Sequence, residues 1–462
     1  MFHFKSKVEK ILSDTHTPVE LYLKLRDRFP QSFLLESSDY KSRENSFSFL
    51  GFAPIASIVI DRDIATVNLP NDQQEKILIK DVQIADLLGD FIGKFCFEAL
   101  NLGFPSQGFF GYTSYDAIPL FEGLEFRHLD FDLPLVQYHL FQHLIVFNHF
   151  NSELYIISHH LEGAEDLDMD IRGLIEHRAV STFEFVLEGA ESCNVSEERF
   201  LEMIREGKHH CQIGDVFQVV LSRRFSQGFR GDEFNVYRAL RSINPSPYLF
   251  YFDYGHFKIF GSSPEAQLRI QGDTAMINPI AGTFKRTGNK AEDALIAQAL
   301  SADPKENAEH IMLVDLARND LSKSSHEVTV ERLKAVEYYS HVIHLVSNVT
   351  ASLAPDTNPF QILGDTYPAG TLSGAPKRKA MEIIDRLEPT GRGFYGGAVG
   401  YVGIDGGFNH AIFIRSFLSR GRQLSYQAGC GVVTKSVPEL ELQEVSHKLS
   451  ALRKALHLAE NI

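Results

Sequence analysis

Tryptophan is absent from all 462 residues, although phenylalanine occurs 36 times and tyrosine 16. The apolar interior must therefore be built from aliphatic side chains and phenyl rings. Only four cysteines are present, Cys96, Cys193, Cys211 and Cys430, far apart and without a CxxC pair, which excludes a zinc ribbon and a disulfide framework. None of them lies in a G-x-C-x-G nucleophile turn, so a built-in glutaminase is not expected. Positive charge is short as well. The 45 Lys and Arg against 60 Asp and Glu leave a formal charge of -15, which opposes binding to nucleic acid or an anionic membrane. An anionic substrate would need positive charge concentrated locally, by a few Arg or Lys or by a bound cation. No run of about 18 apolar residues occurs. The opening "MFHFKSKVEKILSD" lacks a basic segment followed by an apolar stretch, so the expectation is a cytoplasmic protein with no membrane span.

What is present is an ordinary globular composition, 44% hydrophobic and 23% charged, in a chain long enough for two or three cooperating units. From about residue 17 to 160 the pattern predicts an opening helix, "PVELYLKLRDRF", then short β-branched and aromatic runs such as "SIVIDRDIATVNL" and "HLIVFNHFNSELYIISHH". The acidic stretch "LEGAESCNVSEERF" (187–200) reads as a connector between an N-terminal α+β region, 1–189, and a second region, 190–462. The second opens with a helix capped by Ser196 and stopped at Gly214. It continues through strands ("DVFQVVLSRRF", "PYLFYFDYG", "FKIFGSS", "EAQLRIQGD"), a helical stretch over 291–320, more strands, and a final helix from about 438 to 459. Strands joined mainly by hairpins, with helices interspersed irregularly, predict α+β rather than a doubly wound sheet.

The stretch "DPKENAEHIMLVDLARND" (303–320) places Glu306 and Glu309 three apart near a helix start. Asp303, Pro304 and Glu306 have the form of an N-cap, a first-turn proline and a capping-box glutamate, and Glu309 suits the positive end of the helix dipole. Both glutamates thus have structural readings. The last helix repeats the spacing. Ser436 and Glu439 fit a capping box, while Glu441 and Glu444 stand three apart with Lys448 four residues on, at the edge of a stripe of Leu442, Val445, Leu449, Leu452 and Leu456. A surface Glu444–Lys448 ion pair, worth about 0.3–0.5 kcal/mol, is the plain alternative. Four carboxylates on two helices also suit Mg²⁺, which takes oxygen ligands and keeps several waters. Spacing alone does not say whether the helices meet.

The ordered blocks "PIAGT" (279–283), "AEHIMLVDLARND" (308–320), "YPAGTLSGAPK" (367–377), "YGGAVGY" (395–401) and "QAGCGVV" (427–433), followed by Glu441, Glu444 and Lys448, resemble the chorismate-utilising enzymes. The resemblance covers the chain from about residue 190 to its end and is strongest to the anthranilate-forming large subunits of that family. It implies an α+β fold of layered antiparallel sheets with outer helices and an active site in a cleft between sheets. Ammonia would add at C2 of chorismate, the C4 hydroxyl would leave, and loss of pyruvate would give anthranilate, the first step of tryptophan biosynthesis. The resemblance makes this a Mg²⁺-dependent lyase. Mg²⁺ would hold the ring carboxylate, with Glu309 and Glu444 as direct ligands and Glu306 and Glu441 acting through water.

By the same resemblance, Glu265 in "GSSPE" protonates the departing hydroxyl, which calls for a raised pKa. His344 serves the loss of pyruvate and proton. Arg415 and Tyr395 meet the enolpyruvyl carboxylate, the backbone at Gly429 and Gly431 meets the ring carboxylate, and Thr371 and Lys448 contact substrate carboxylate. Each has an alternative from local pattern. Ser-Ser-Pro-Glu reads as a helix start, and His344, alternating with Val342 and Val346, as a core histidine. Arg415, sharing a strand face with Ala411, Phe413 and Phe417, reads as a buried ion-pair partner, and the glycines as a strand bulge. Cys430 stands where alanine is usual.

The segments "LLESS" (34–38) and "NPSPYLFYF" (244–252) match the family's tryptophan feedback site, with Ser37, Pro247 and Tyr248 facing the effector and Leu249 where methionine is common. A strand end and a proline-fixed turn are the alternatives. A separate glutamine amidotransferase subunit, anthranilate synthase component II, would deliver ammonia. Ala281 in "NPIAGT" separates the branches: relatives that add water at C2 or make 4-amino-4-deoxychorismate for folate commonly hold lysine there. The competing readings are that folate-branch enzyme and a non-catalytic sensor of tryptophan or chorismate.

Overall fold

Long strands of β-branched and aromatic residues pair antiparallel outward from Val136–Asn148 in two arms. The computed structural model of the protein describes residues 1–37, 46–70, 72–130, 133–164, 169–177, 179–338 and 342–462. The first arm runs through Phe47–Asp61, Phe33–Glu36, Tyr248–Asp253, Lys258–Ser263, Ser416–Arg420, Gln423–Val432, Gln218–Gly231 and Phe185–Cys193. The second runs through Gly108–Thr113, Ala398–Gly403, Phe408–Ile412, Ala266–Gln271, Thr274–Ile277 and Val342–Ser352, which Ile280–Lys285 and His326–Tyr338 flank. The fold is α+β, with layered antiparallel sheets as the sequence predicted.

Phenyl rings fill the space between the arms. Phe33 stacks on Phe110 at 4.3 Å and on Phe252 at 5.4 Å, in a cluster that reaches Phe141, Phe257 and Phe413. Helices cover the outer faces. Pro18–Leu25, Glu197–Gln212, Phe234–Ile243 and Pro438–Ala459 pack on the first arm, and Ile84–Ile92, Pro304–Leu321 and Pro359–Thr366 on the second. Among the described residues no helix is long and apolar enough to cross a membrane.

Several local expectations are corrected. Residues 187–193, expected as part of a connector, belong to the strand Phe185–Cys193, paired with Gln218–Gly231. Its exposed acidic face, on an edge strand, gives it the composition of a loop. Residue 190 therefore does not separate two sheets, and both arms contain strands from either side of it. The N-terminal Phe2–Leu12, given no structure from its sequence, is a strand beside Glu153–Leu161. The 291–320 stretch is two helices, Lys290–Ala302 and Pro304–Leu321. Asp303 caps the second, and Pro304 has no N–H with which to continue the first.

Arg392, only 2% exposed, is the largest fully buried side chain. It donates to Glu388 Oε1 at 2.6 Å and Oε2 at 2.9 Å, and to the carbonyls of Leu372 at 2.6 Å and Val220 at 2.8 Å. Glu388 also accepts from the Ser222 amide and hydroxyl, both at 2.8 Å, so one ion pair ties the first arm to the chain behind Thr371. Glu388→Ala strands a buried guanidinium and should cost about 3–5 kcal/mol. The expected reading is a lower urea midpoint at unchanged slope. A loss below about 1 kcal/mol would mean that the carbonyls alone satisfy Arg392.

Candidate active site

Two short links carry the chain between arms, and each holds a charged side chain singled out above. Pro264 and Glu265 join Lys258–Ser263 to Ala266–Gln271, and Phe413 to Arg415 join Phe408–Ile412 to Ser416–Arg420. The links lie side by side. Ile412 N donates to the Glu265 carbonyl at 3.0 Å, and Ser262 N to the Arg415 carbonyl at 3.1 Å. Glu265 is thus in a strand-to-strand corner, not at a helix start. Arg415, at φ 51, does not share a strand face with Ala411, Phe413 and Phe417, because the strand ends at Ile412. Its Nη1 donates to a neutral amide, Asn244 Oδ1, at 3.2 Å. Burial lowers the guanidinium's pKa, and the nearby Glu265 charge opposes that shift.

Thr371 Oγ1 donates to Glu265 Oε1 at 3.1 Å. Burial pushes the Glu265 carboxyl up to about 7, against the opposing effects of that hydrogen bond and of the Lys448 and Arg415 charges. The carboxyl borders a cleft of about 400 Å³ lined also by Gln267, Asn278, Leu313, Asp320 and Thr366. His344 approaches from the Val342–Ser352 strand. Its Nδ1 donates to the Gly282 carbonyl at 2.7 Å, so the lone pair of the neutral ring is at Nε2. Burial holds this ring below the ordinary histidine range, partly offset by the Gly282 bond. Ala281, 6% exposed, pairs with Leu345 beside it.

The carboxylates of the two helices lie within electrostatic reach of one another. Asp303 Oδ1 accepts from the amides of Lys305 at 2.8 Å and Glu306 at 3.0 Å, while the Glu306 carboxylate reaches Gly282, where an added Cβ would come within 3.1 Å of Oε2. On the second helix the expected Ser436–Glu439 box is not formed. Val437 is the N-cap, and Ser436 accepts from Val433 N at 3.0 Å and hydrogen-bonds Glu441 instead. Burial raises the carboxyls of Glu306, Glu309 and Glu441 above their usual range, and the Glu444 charge adds to all three shifts. The Glu444–Lys448 ion pair is present too, at 2.8 Å, and Lys448 also donates to the Gly429 carbonyl at 2.8 Å. Among the described residues no three His, Cys, Asp or Glu gather into a ready-made ligand set.

Gly429 and Gly431 lie in a strand of regular register, opposite Ser222 and Val220, so they do not mark a bulge. Close approach explains Gly429: a Cβ there would be 2.7 Å from the Leu221 carbonyl and 3.2 Å from the hydroxyl of Tyr395. Tyr395 is buried, with the Arg392 guanidinium 5.7 Å from its ring centroid. The predicted effector segments pair directly, Glu36 opposite Leu249 and Tyr248 opposite Ser263, which sets Ser37 beside Pro247 and Tyr248. Ser38 lies outside the described residues. The sequence reading missed Asn244, Glu388 and Arg392, although Glu388 and Arg392 stand at i,i+4 in "LEPTGR".

A family model described as chorismate binding enzyme matches residues 17–454. The chain belongs to the chorismate binding enzyme family. It is 37% identical to anthranilate synthase component 1 of Acetivibrio thermocellus, with 98% of this chain and 95% of that one covered. Identity is again 37% to the protein of that name from Geobacillus stearothermophilus, with 98% and 94% covered. The crystal structure of anthranilate synthase component I from Streptococcus pneumoniae TIGR4 superposes with a TM-score of 0.75 at 30% identity, over 96% of this chain and 99% of that one.

In this family member Glu265 is half protonated near neutral pH and lies within electrostatic reach of the Lys448 and Arg415 charges, and burial favours the neutral His344 ring. kcat/KM, which reports the free enzyme, should fall on the alkaline side as Glu265 loses its proton near pH 7. It should fall on the acid side as His344 gains one below the ordinary histidine range. Glu265→Gln should remove the alkaline limb and lower kcat by about 10²–10⁴-fold. An unaltered profile would exclude Glu265 from proton transfer.

Proposed function

We propose that the chain is the large subunit of an anthranilate synthase, converting chorismate and ammonia into anthranilate, pyruvate and water. The observation that supports this reading is Glu265 hydrogen-bonded by Thr371 and within electrostatic reach of Lys448 and Arg415, with Arg415 in turn in reach of His344, in a chain whose full-length relatives bear that name. Ammonia bonds to C2 as the C4 hydroxyl departs, and Glu265 supplies the proton that makes it water. His344 Nε2 then accepts the C2 proton, the bond to the enolpyruvyl oxygen breaks, and the released enol becomes pyruvate. Arg415 and Tyr395 hold the enolpyruvyl carboxylate, while Thr371, Lys448 and the backbone at Gly429 and Gly431 hold the ring end.

The four helix glutamates fit a hard divalent cation, because their mutual repulsion is what a cation relieves. Glu309 and Glu444 would hold Mg²⁺ directly and Glu306 and Glu441 through water, an arrangement suited to an ion that keeps much of its hydration. When bound it supplies positive charge to the ring carboxylate. A separate glutamine amidotransferase would furnish ammonia, which accords with the burial of Cys211 and Cys430 and with the raised pKa of both thiols. Four free cysteines accord with a cytoplasmic location.

Ala281 points to amination at C2. A desolvated lysine there could act as base or nucleophile, whereas alanine leaves room for ammonia, whose lone pair needs no activating base. Protein incubated with chorismate, Mg²⁺ and ammonium salt should release anthranilate and pyruvate, chelation should stop it, and Ala281→Lys should lose most of the activity. Release of 4-amino-4-deoxychorismate without pyruvate would assign the folate branch instead.

Tryptophan should inhibit through the paired segments at Ser37 and Tyr248, which lie one strand away from the Glu265 link. Ser37→Phe should raise the inhibitory tryptophan concentration at least tenfold with kcat retained. Unchanged inhibition would remove Ser37 from the effector site.

A further inference from the structure

Lys377, 8% exposed, and Asp320, 5% exposed, form a buried ion pair at 2.6 Å, and Asp320 lines the same cleft as Glu265. Such a pair is weak support for stability, since desolvation offsets much of the attraction. Its geometry suggests another purpose. Lys377 also donates to the Thr366 carbonyl at 2.8 Å, and Gln267 Nε2 donates to that same carbonyl at 3.2 Å. Thr366 ends the helix Pro359–Thr366, and the turn that follows carries Thr371, whose hydroxyl donates to Glu265. Gln267 lies two residues beyond Glu265 on the chain, and Asp320 lies in the last turn of the helix that carries Glu306 and Glu309. One carbonyl at the root of the Thr371 turn therefore accepts from Gln267, near the acid, and from Lys377, whose ammonium also donates to Asp320 on the helix of Glu306 and Glu309.

We infer that Lys377 is a positioning residue, which fixes the root of the Thr371 turn and thereby holds the Thr371 hydroxyl on Glu265. Gln267 assists at the same carbonyl, and Asp320 keeps the Lys377 ammonium aimed at it. The inference deepens the proposed reaction and rests on Glu265 and Thr371 acting in it. A displacement of about 1 Å at the reacting groups can cost about a hundredfold in rate without weakening substrate binding, so the effect belongs in kcat.

The test is a double-mutant cycle on the ammonia-dependent reaction, read on whichever product the wild type releases, so that an error in the product assignment leaves it intact. Lys377→Met with Asp320→Leu removes both charges at once and avoids a stranded ion. This variant should melt within a few degrees of wild type, lose about tenfold or more in kcat, and keep KM for chorismate within about twofold. In a Thr371→Val background the same pair of substitutions should cost no further kcat. Should that variant not fold, Gln267→Leu, which leaves the ion pair intact, is put through the same cycle, with a smaller kcat loss expected and again none beyond Thr371→Val. Unchanged kcat in a folded variant, or losses that multiply with that of Thr371→Val, would overturn the inference.

Discussion

Glu265 and Arg415 occupy the two links at which the chain leaves one sheet arm for the other, and the backbones of those links are tied together through Ile412 and Ser262. Along an uninterrupted strand, side chains alternate between the two faces of a sheet. A corner between sheets interrupts that alternation and turns the side chain into the gap between layers. Two such corners side by side put a carboxyl and a guanidinium within electrostatic reach inside a phenyl-rich interior, where neither would be tolerated on a core-facing strand position. The remainder of the site is arranged about that pair: Thr371 on the carboxyl, Asn244 on the guanidinium, and Lys448 reaching in from the last helix.

The chain's shortage of positive charge acquires meaning in this setting. A net charge of -15 would repel a dianionic substrate at long range, so attraction must be local and short. Arg415 and Lys448 are cations within electrostatic reach of Glu265. The glutamates of the two helices are of opposite sign, and burial together with the Glu444 charge holds Glu306, Glu309 and Glu441 above their ordinary pKa.

Much of this was legible in the residues. Periodicity located the strands and outer helices, and the family resemblance singled out Glu265 and Thr371, which the fold joins by a hydrogen bond. Three kinds of feature were not legible. The acidic strand Phe185–Cys193 carries an exposed edge face, so composition disguised it as a connector. The break before Arg415 depends on a backbone φ of 51, which an apolar run such as "HAIFIRSF" does not signal. The partners of buried charges, such as Asn244 for Arg415 and Asp320 for Lys377, come from residues far apart in sequence that only the tertiary fold brings together. Capping-box spacing misled at Ser436 because Pro438 already fits the first helical turn and leaves the serine hydroxyl to Val433 and Glu441.

Burial acts on Glu265 and His344 with opposite sign. Removing water disfavours charge on either group, so it raises Glu265 to about 7 and moves His344 downward. Each group is therefore held nearer its neutral form than it would be in water. The nearby cations limit the shift at Glu265, and the Gly282 hydrogen bond limits it at His344, so neither group becomes inert. Thr371 has a second effect. Its hydroxyl donates to Glu265 and so favours the carboxylate, which returns the acid toward the middle of the working range and orients the oxygen that carries the proton. Aligning that one hydroxyl thus adjusts both the pKa of the acid and its geometry, which is why the chain devotes a buried ion pair to the turn that bears it.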